Sequence, residues 1–108
     1  MPQLIYTRAA VADLVRLRAF LQTKSPSAAS NAKTAIVRAL STLNQFPQAH
    51  RPVADQPGMR ELIIQFGASG YVARYHYAPG LDIVVLRIRH QKEEEFTEGE
   101  FTGNAQVP

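Results

Sequence analysis

The residues best placed to do chemistry crowd the end of one apolar run. Leu81 to Leu86 reads "LDIVVL", and "RIRHQK" follows, so Arg87, Arg89, His90 and Lys92 fall within six positions. On a strand, side chains alternate between faces, so Arg87 and Arg89 share one. Arg60 and Arg74 add cations on the two strand-like runs before it. One reaction suits such a set without a metal: cleavage of RNA through its own 2′-hydroxyl. It needs a base at that hydroxyl, cations on the phosphorane and an acid at the leaving oxygen. Glu61 or His90 is the candidate base, and Arg74, Arg87 and Arg89 are candidates to hold phosphate. Each residue also has a plainer reading. Arg74 is equally a solvated strand position, and His90 a strand-terminal hydrogen-bonding group. Arg87 and Arg89 suit binding of a partner. Tyr71, Tyr75 and Tyr77 read as half-buried packing residues.

Other chemistries lack their parts. "GASG" (Gly67 to Gly70) has no following lysine and reads as a hairpin turn rather than a phosphate loop. His50, His76 and His90 have no metal-ligand spacing. The chain has no cysteine, which excludes disulfides, thiol catalysis and thiolate ligands. No Ser/His/Asp order suggests a hydrolase. Neither a metal nor a cofactor is expected.

Charge divides the 108-residue chain in two. Residues 1–92 hold all twelve Lys and Arg against Asp13, Asp55, Glu61 and Asp82, a formal charge of +8. The other five acids, Glu93, Glu94, Glu95, Glu98 and Glu100, lie in the last sixteen residues. So basic a body points to an acidic partner, either nucleic acid or polypeptide. No apolar run approaches membrane-spanning length and no signal peptide is visible, so a cytoplasmic protein without membrane contact is expected.

The length suits one domain. Gln3 to Thr7 reads as a short strand. Thr7 then caps a helix whose stripe is Val11, Leu14, Leu17 and Leu21, with Asp13, Arg16 and Arg18 on its other side. Ser25-Pro26 starts a second helix running to about Gln45, with Ala32, Ile36, Leu40 and Leu43 as its stripe. So short a link predicts an antiparallel helix hairpin. Phe46 to Gly58 is a proline-rich loop. "MRELIIQF", "GYVARYHY" and "LDIVVLRIR" follow as a three-stranded antiparallel meander. The expected class is α+β, with both helices on one sheet face. Leu62, Ile64, Phe66, Val84, Leu86 and Ile88 should meet the helices, as should Tyr71, Ala73 and Tyr75. Glu61, Ile63, Val72, Arg74, His76, Val85, Arg87 and Arg89 should face away.

In series, these motifs resemble the toxins of the RelE/ParE superfamily from bacterial type II toxin–antitoxin modules. "YTRAAVADLVRL" is similar to the family's first strand and helix. "LSTLNQFPQAHRPVADQPGMRELII" is similar to its second-helix end, loop and "REL" strand. "SGYVARYHY" and "VVLRIRHQKEEEF" resemble its last two strands. The likeness covers residues 3–96. It implies a toxin domain over residues 1–96; the polar, weakly periodic residues 97–108 read as an acidic, flexible tail. It also implies a cognate, ParD-like antitoxin with an acidic flexible segment, joined in a hetero-oligomer. RelE-like members cleave mRNA on the ribosome, whereas characterised ParE-like members poison DNA gyrase. Three positions depart from the nuclease pattern. Val72 stands where an arginine follows "SGY", only Arg51 and Arg60 supply basic residues ahead of the middle strand, and Phe96 replaces a stacking tyrosine. The resemblance therefore implies a ParE-like gyrase inhibitor, with the mRNA endonuclease or a non-toxic binding module as alternatives. Arg60, Arg74, Arg87, Arg89, His90 and Lys92 would contact target or antitoxin. Glu61, Arg74 and His90 would be the catalytic set of a nuclease. The acidic tail would fold back over the basic face.

Overall fold

The computed structural model describes residues 3–93. The elements are β1 (Leu4–Tyr6), α1 (Arg8–Gln22), α2 (Pro26–Ser41), β2 (Arg51–Pro52), β3 (Met59–Phe66), β4 (Ser69–His76) and β5 (Ile83–His90). A 3-10 turn, Thr42–Asn44, extends α2. The strands form one sheet in the order β1-β5-β4-β3-β2. β1 runs parallel to β5, and the other pairings are antiparallel. The α+β class, the helix pair and the three long strands are as the sequence predicts. The loop expected over Phe46 to Gly58 also contributes the two-residue strand β2, which pairs Arg51 with Glu61 and Pro52 with Arg60.

Both helices start where polar caps satisfy their free amides. The Thr7 hydroxyl accepts from Ala10 N, and the Ser25 hydroxyl accepts from Ala28 N with Pro26 in the first turn. From α2 and its extension, Ala32, Ile36, Leu40 and Leu43 are buried as expected. The buried face of α1 differs from expectation. Ala10, Asp13 and Leu17 are buried, Leu14 and Leu21 pack beside the core, and Val11 is 49% exposed. Asp13 therefore lies on the inner side and Val11 on the outer, because the carboxylate of Asp13 has partners on β5.

The helices cover one face of the sheet, where Leu62, Ile64, Tyr71, Ala73 and Tyr75 meet them. β5 corrects a second expectation. Arg87 pairs with Arg74, but the next pair is Tyr75 with Val85, so Leu86 is an extra residue. This bulge shifts the alternation by one position. Ile83, Val85 and Ile88 face the core, while Val84 and Leu86 are only half-buried. Val85, expected to face away, is fully buried. Gly70 is fixed by close approach: a methyl group there would run into the Ile64 carbonyl across the hairpin.

Candidate functional site

Glu61 and Arg74 are direct cross-strand partners on the sheet face away from the helices. Arg74 Nε and Nη2 both donate to Glu61 Oε2, at 3.0 and 2.6 Å. Arg51, brought in by β2, donates to Oε1 at 2.9 Å. Burial alone would raise the Glu61 pKa. The hydrogen bonds and charges of Arg74 and Arg51 outweigh it, and the carboxyl sits below its ordinary range. Both oxygens are engaged and the group is held ionised, which makes it a weak proton acceptor. Arg74 and Arg89, expected on a solvated face, are 7% and 6% exposed.

Arg87 leaves the bulge and reaches α1. Its Nε donates to Asp13 Oδ2 at 2.8 Å and its Nη2 to Asp13 Oδ1 at 3.1 Å. The same Oδ2 accepts the Ile88 amide at 2.8 Å. The reason lies in β1, whose pairing with β5 ends at Tyr6 and Val85. Beyond that point the β5 edge has backbone groups to satisfy, and α1 supplies the partners. Thr7 N and Oγ1 donate to the carbonyls of Val85 and Leu86, and Asp13 takes the Ile88 amide. Asp13 thus does the work of a missing strand.

The end of β5 is tied by backbone and side chain together. His90 Nδ1 accepts the Lys92 amide at 3.1 Å, so in the neutral ring Nε2 carries the proton and donates to Ser69 Oγ at 3.0 Å. The ring stacks edge-on against Tyr71 at 5.5 Å. Arg89 Nη1 donates to the carbonyls of His90, Gln91 and Glu93, and Glu93 bridges the His90 amide and Arg16. Lys92 is exposed. Arg60 lies on the helix side of the sheet, opposite Tyr75, and donates to the His50 carbonyl at 2.7 Å. Tyr75 donates to the Pro47 carbonyl, and burial pushes its pKa up to about 12.

The candidate acid–base set does not assemble. His90 pairs with Tyr71 and Glu61 with Arg74, and Tyr71 and Arg74 are three residues apart on β4. An odd separation puts them on opposite faces, about 10 Å apart along the strand. Among the described residues no group of three or more His, Asp or Glu lies together as metal ligands. No described helix is long and apolar enough to cross a membrane.

The sequence also matches, over residues 4–95, the family described as the ParE toxin of type II toxin–antitoxin system, parDE. The chain belongs to the ParE toxin family. It is 40% identical to Toxin RelE3 of Caulobacter vibrioides over 81 residues, which is 75% of this chain and 85% of that protein. It is 33% identical to Toxin RelE2 of the same organism, over 83% of this chain and 96% of the relative. A solved structure, the chromosomal ParDE system from P. aeruginosa, superimposes with a TM-score of 0.70 at 27% identity, covering 83% of this chain and 96% of that one. The chain is thus a RelE/ParE superfamily toxin, with relatives bearing both names.

In this ParE-family chain the sequence candidates divide by position. Glu61 and Arg74 meet. Arg87 turns to α1, Arg89 and His90 hold the strand end, Arg60 holds the loop and Lys92 faces solvent. Asp13 faces inward, opposite to the side its helical spacing predicts, and nothing local to α1 marks its burial. Glu94, Glu95, Phe96 and the tail over 97–108 lie outside the described residues.

Proposed function

We propose that this chain inhibits DNA gyrase by binding it and is neutralised by a cognate antitoxin. The observation that carries this reading is the separation of Glu61 and His90 onto opposite sheet faces. Both also have their acceptor or donor atoms occupied. Such groups suit a scaffold better than proton transfer, and Val72 leaves no arginine beside Tyr71. Lys92, exposed just past β5, is the residue we assign to target contact. The likeness to a ParDE structure supports an antitoxin partner. So does the helix pair, whose shallow groove presents Arg18, Lys33 and Arg38 around Val37 without an acid among its lining residues. An acidic, flexible antitoxin segment that folds on binding fits that groove.

The RelE-named relatives support mRNA cleavage as the second reading. Induced expression in a bacterial host separates the two. Replication arrest with filamentous cells and continuing translation supports gyrase. Prompt translation arrest with cleaved messages supports the nuclease. With purified protein, Lys92→Glu should weaken inhibition of gyrase supercoiling while the fold persists. Full inhibition by the folded variant would remove Lys92 from the contact.

A further inference from the structure

The turn that presents Lys92 is shaped by one side chain. From His90 to Glu93 the chain bends so that the Glu93 amide donates to the His90 carbonyl at 3.0 Å. The Gln91 amide donates to the Gly70 carbonyl at 2.9 Å, and the Glu93 carboxylate accepts the His90 amide. The amide of Lys92 itself donates to His90 Nδ1 at 3.1 Å. On its other side the ring is anchored to β4. Nε2 is 3.0 Å from Ser69 Oγ, and the ring meets Tyr71 edge-on. So held, the ring turns Nδ1 toward Lys92.

An imidazole nitrogen accepts a hydrogen bond only while it carries no proton, and in the charged ring both nitrogens are donors. Protonation would therefore set two donors, Nδ1–H and the Lys92 N–H, facing each other. We infer that His90 is a positioning residue for Lys92: its neutral ring holds the turn in the shape that binds the target, and protonation releases it. The inference rests on the reading of Lys92 as the target contact. Imidazole ordinarily changes charge between about pH 5 and 8, so inhibition should be strongest at the alkaline end of that range and fall toward the acid end. Among the described residues, the charged groups around the ring are Arg16 on α1 and Arg89, Lys92 and Glu93 at the strand end. Arginine, lysine, glutamate and tyrosine ordinarily titrate outside that range, and burial moves Tyr71 further from it. A step seen there at Lys92 belongs to the ring.

Two substitutions separate the ring nitrogens, and neither replacement titrates. His90→Asn puts a carboxamide oxygen where Nδ1 stands, in the side-chain-to-amide turn that asparagine favours, and loses Ser69. His90→Gln reaches Ser69 as Nε2 does and loses the Lys92 amide. His50 and His76 remain in every chain, so the comparison isolates His90. At about pH 8, hydrogen exchange at the Lys92 amide should be about fivefold faster in His90→Gln than in the natural chain, the effect of one hydrogen bond, and His90→Asn should restore protection. As pH falls, the Lys92 amide signal of the natural chain should shift in step with the His90 ring signals. In His90→Asn that step should vanish. Gyrase inhibition should follow the amide: about fivefold weaker in His90→Gln than in His90→Asn, with the natural chain losing potency relative to His90→Asn as pH falls. A Lys92 amide that ignores the titration of the ring would overturn the inference. So would equal inhibition by the two His90 variants where Lys92→Glu abolishes it. Full inhibition by Lys92→Glu would overturn it from the other side, by removing Lys92 from the contact, and an intact amide step would identify that as the cause.

Discussion

Glu61 is buried, yet its carboxyl titrates below its ordinary range, so the arginines that face it decide its state. A buried pair costs more to break than it contributes when made, because the remaining charge stays in a poorly solvated place. Glu61→Ala should therefore destabilise the fold by about 3 kcal/mol, read from urea unfolding. The pH dependence has a definite sign. A depressed folded-state pKa means that Glu61 contributes stability above its unfolded value, and that the contribution is lost as pH falls through the folded one. Acid titration should unfold the natural chain progressively below the ordinary glutamate range, while Glu61→Gln should lose that part of the slope. An unchanged slope in the variant would assign the acid transition to other carboxyls. Tyr75 works at the other end of the scale. Its hydroxyl donates to Pro47, burial raises its pKa to about 12, and its neutral form stabilises the fold. That stability is complete below the ordinary value of 10.0 and is lost as pH rises toward 12. Burial raises Tyr6 and Tyr71 as well, and tyrosine ionisation followed by absorbance should show Tyr75 titrating last, together with unfolding. Tyr75→Phe should remove that late step.

At the scale of elements, what the sequence revealed was local and what it hid was not. Thr7 and the Ser25-Pro26 pair mark helix starts because a cap satisfies amides only three residues away. The hairpin turns are legible for the same reason. The β5 bulge is not. Nothing in "IVVLRIR" distinguishes an unbroken strand from one with Leu86 unpaired, and the single extra residue reversed the inferred faces of Val84, Val85 and Leu86. The role of Asp13 was hidden too. Its burial follows from β1 ending too early to pair all of β5, a fact about two segments more than 70 residues apart. The candidate site suffered in the same way. Arg74 and Arg89 read as cations on an open sheet face because their alternation was visible and their partners were not. Asp13→Ala removes the acceptor of the half-buried Arg87 guanidinium and of the Ile88 amide at once. The expected cost is about 3 kcal/mol or more. Hydrogen exchange at Ile88 should accelerate ahead of global unfolding, whereas exchange at Ile64, in the β3–β4 pair, should keep pace with the core. Unaltered protection at Ile88 would mean that the β5 edge does not depend on α1.

For the whole molecule, the formal charge of the basic body matters less than where that charge meets solvent. Arg74 and Arg87 are bound to Glu61 and Asp13, and Arg89 is drawn into the carbonyls at the end of β5. Arg18, Lys33 and Arg38 stand exposed on the helix pair. The acidic antitoxin segment we propose would therefore be attracted mainly to the helices. Exposed pairs are screened over about 10 Å at 0.1 M salt and about 3 Å at 1 M, whereas buried pairs are screened much less. Affinity for the antitoxin we propose should fall with salt, and the loss should lie mostly in the association rate. Lys33→Glu with Arg38→Glu should flatten that salt dependence. Arg87→Gln should weaken binding, if at all, through stability, leaving the slope in place. Association rates measured across this salt range for the three chains would decide it. A flattened slope in Arg87→Gln together with an unchanged slope in the helix variant would put the encounter surface on the sheet, and the exposed cations of α2 would then have no part in recognising the antitoxin.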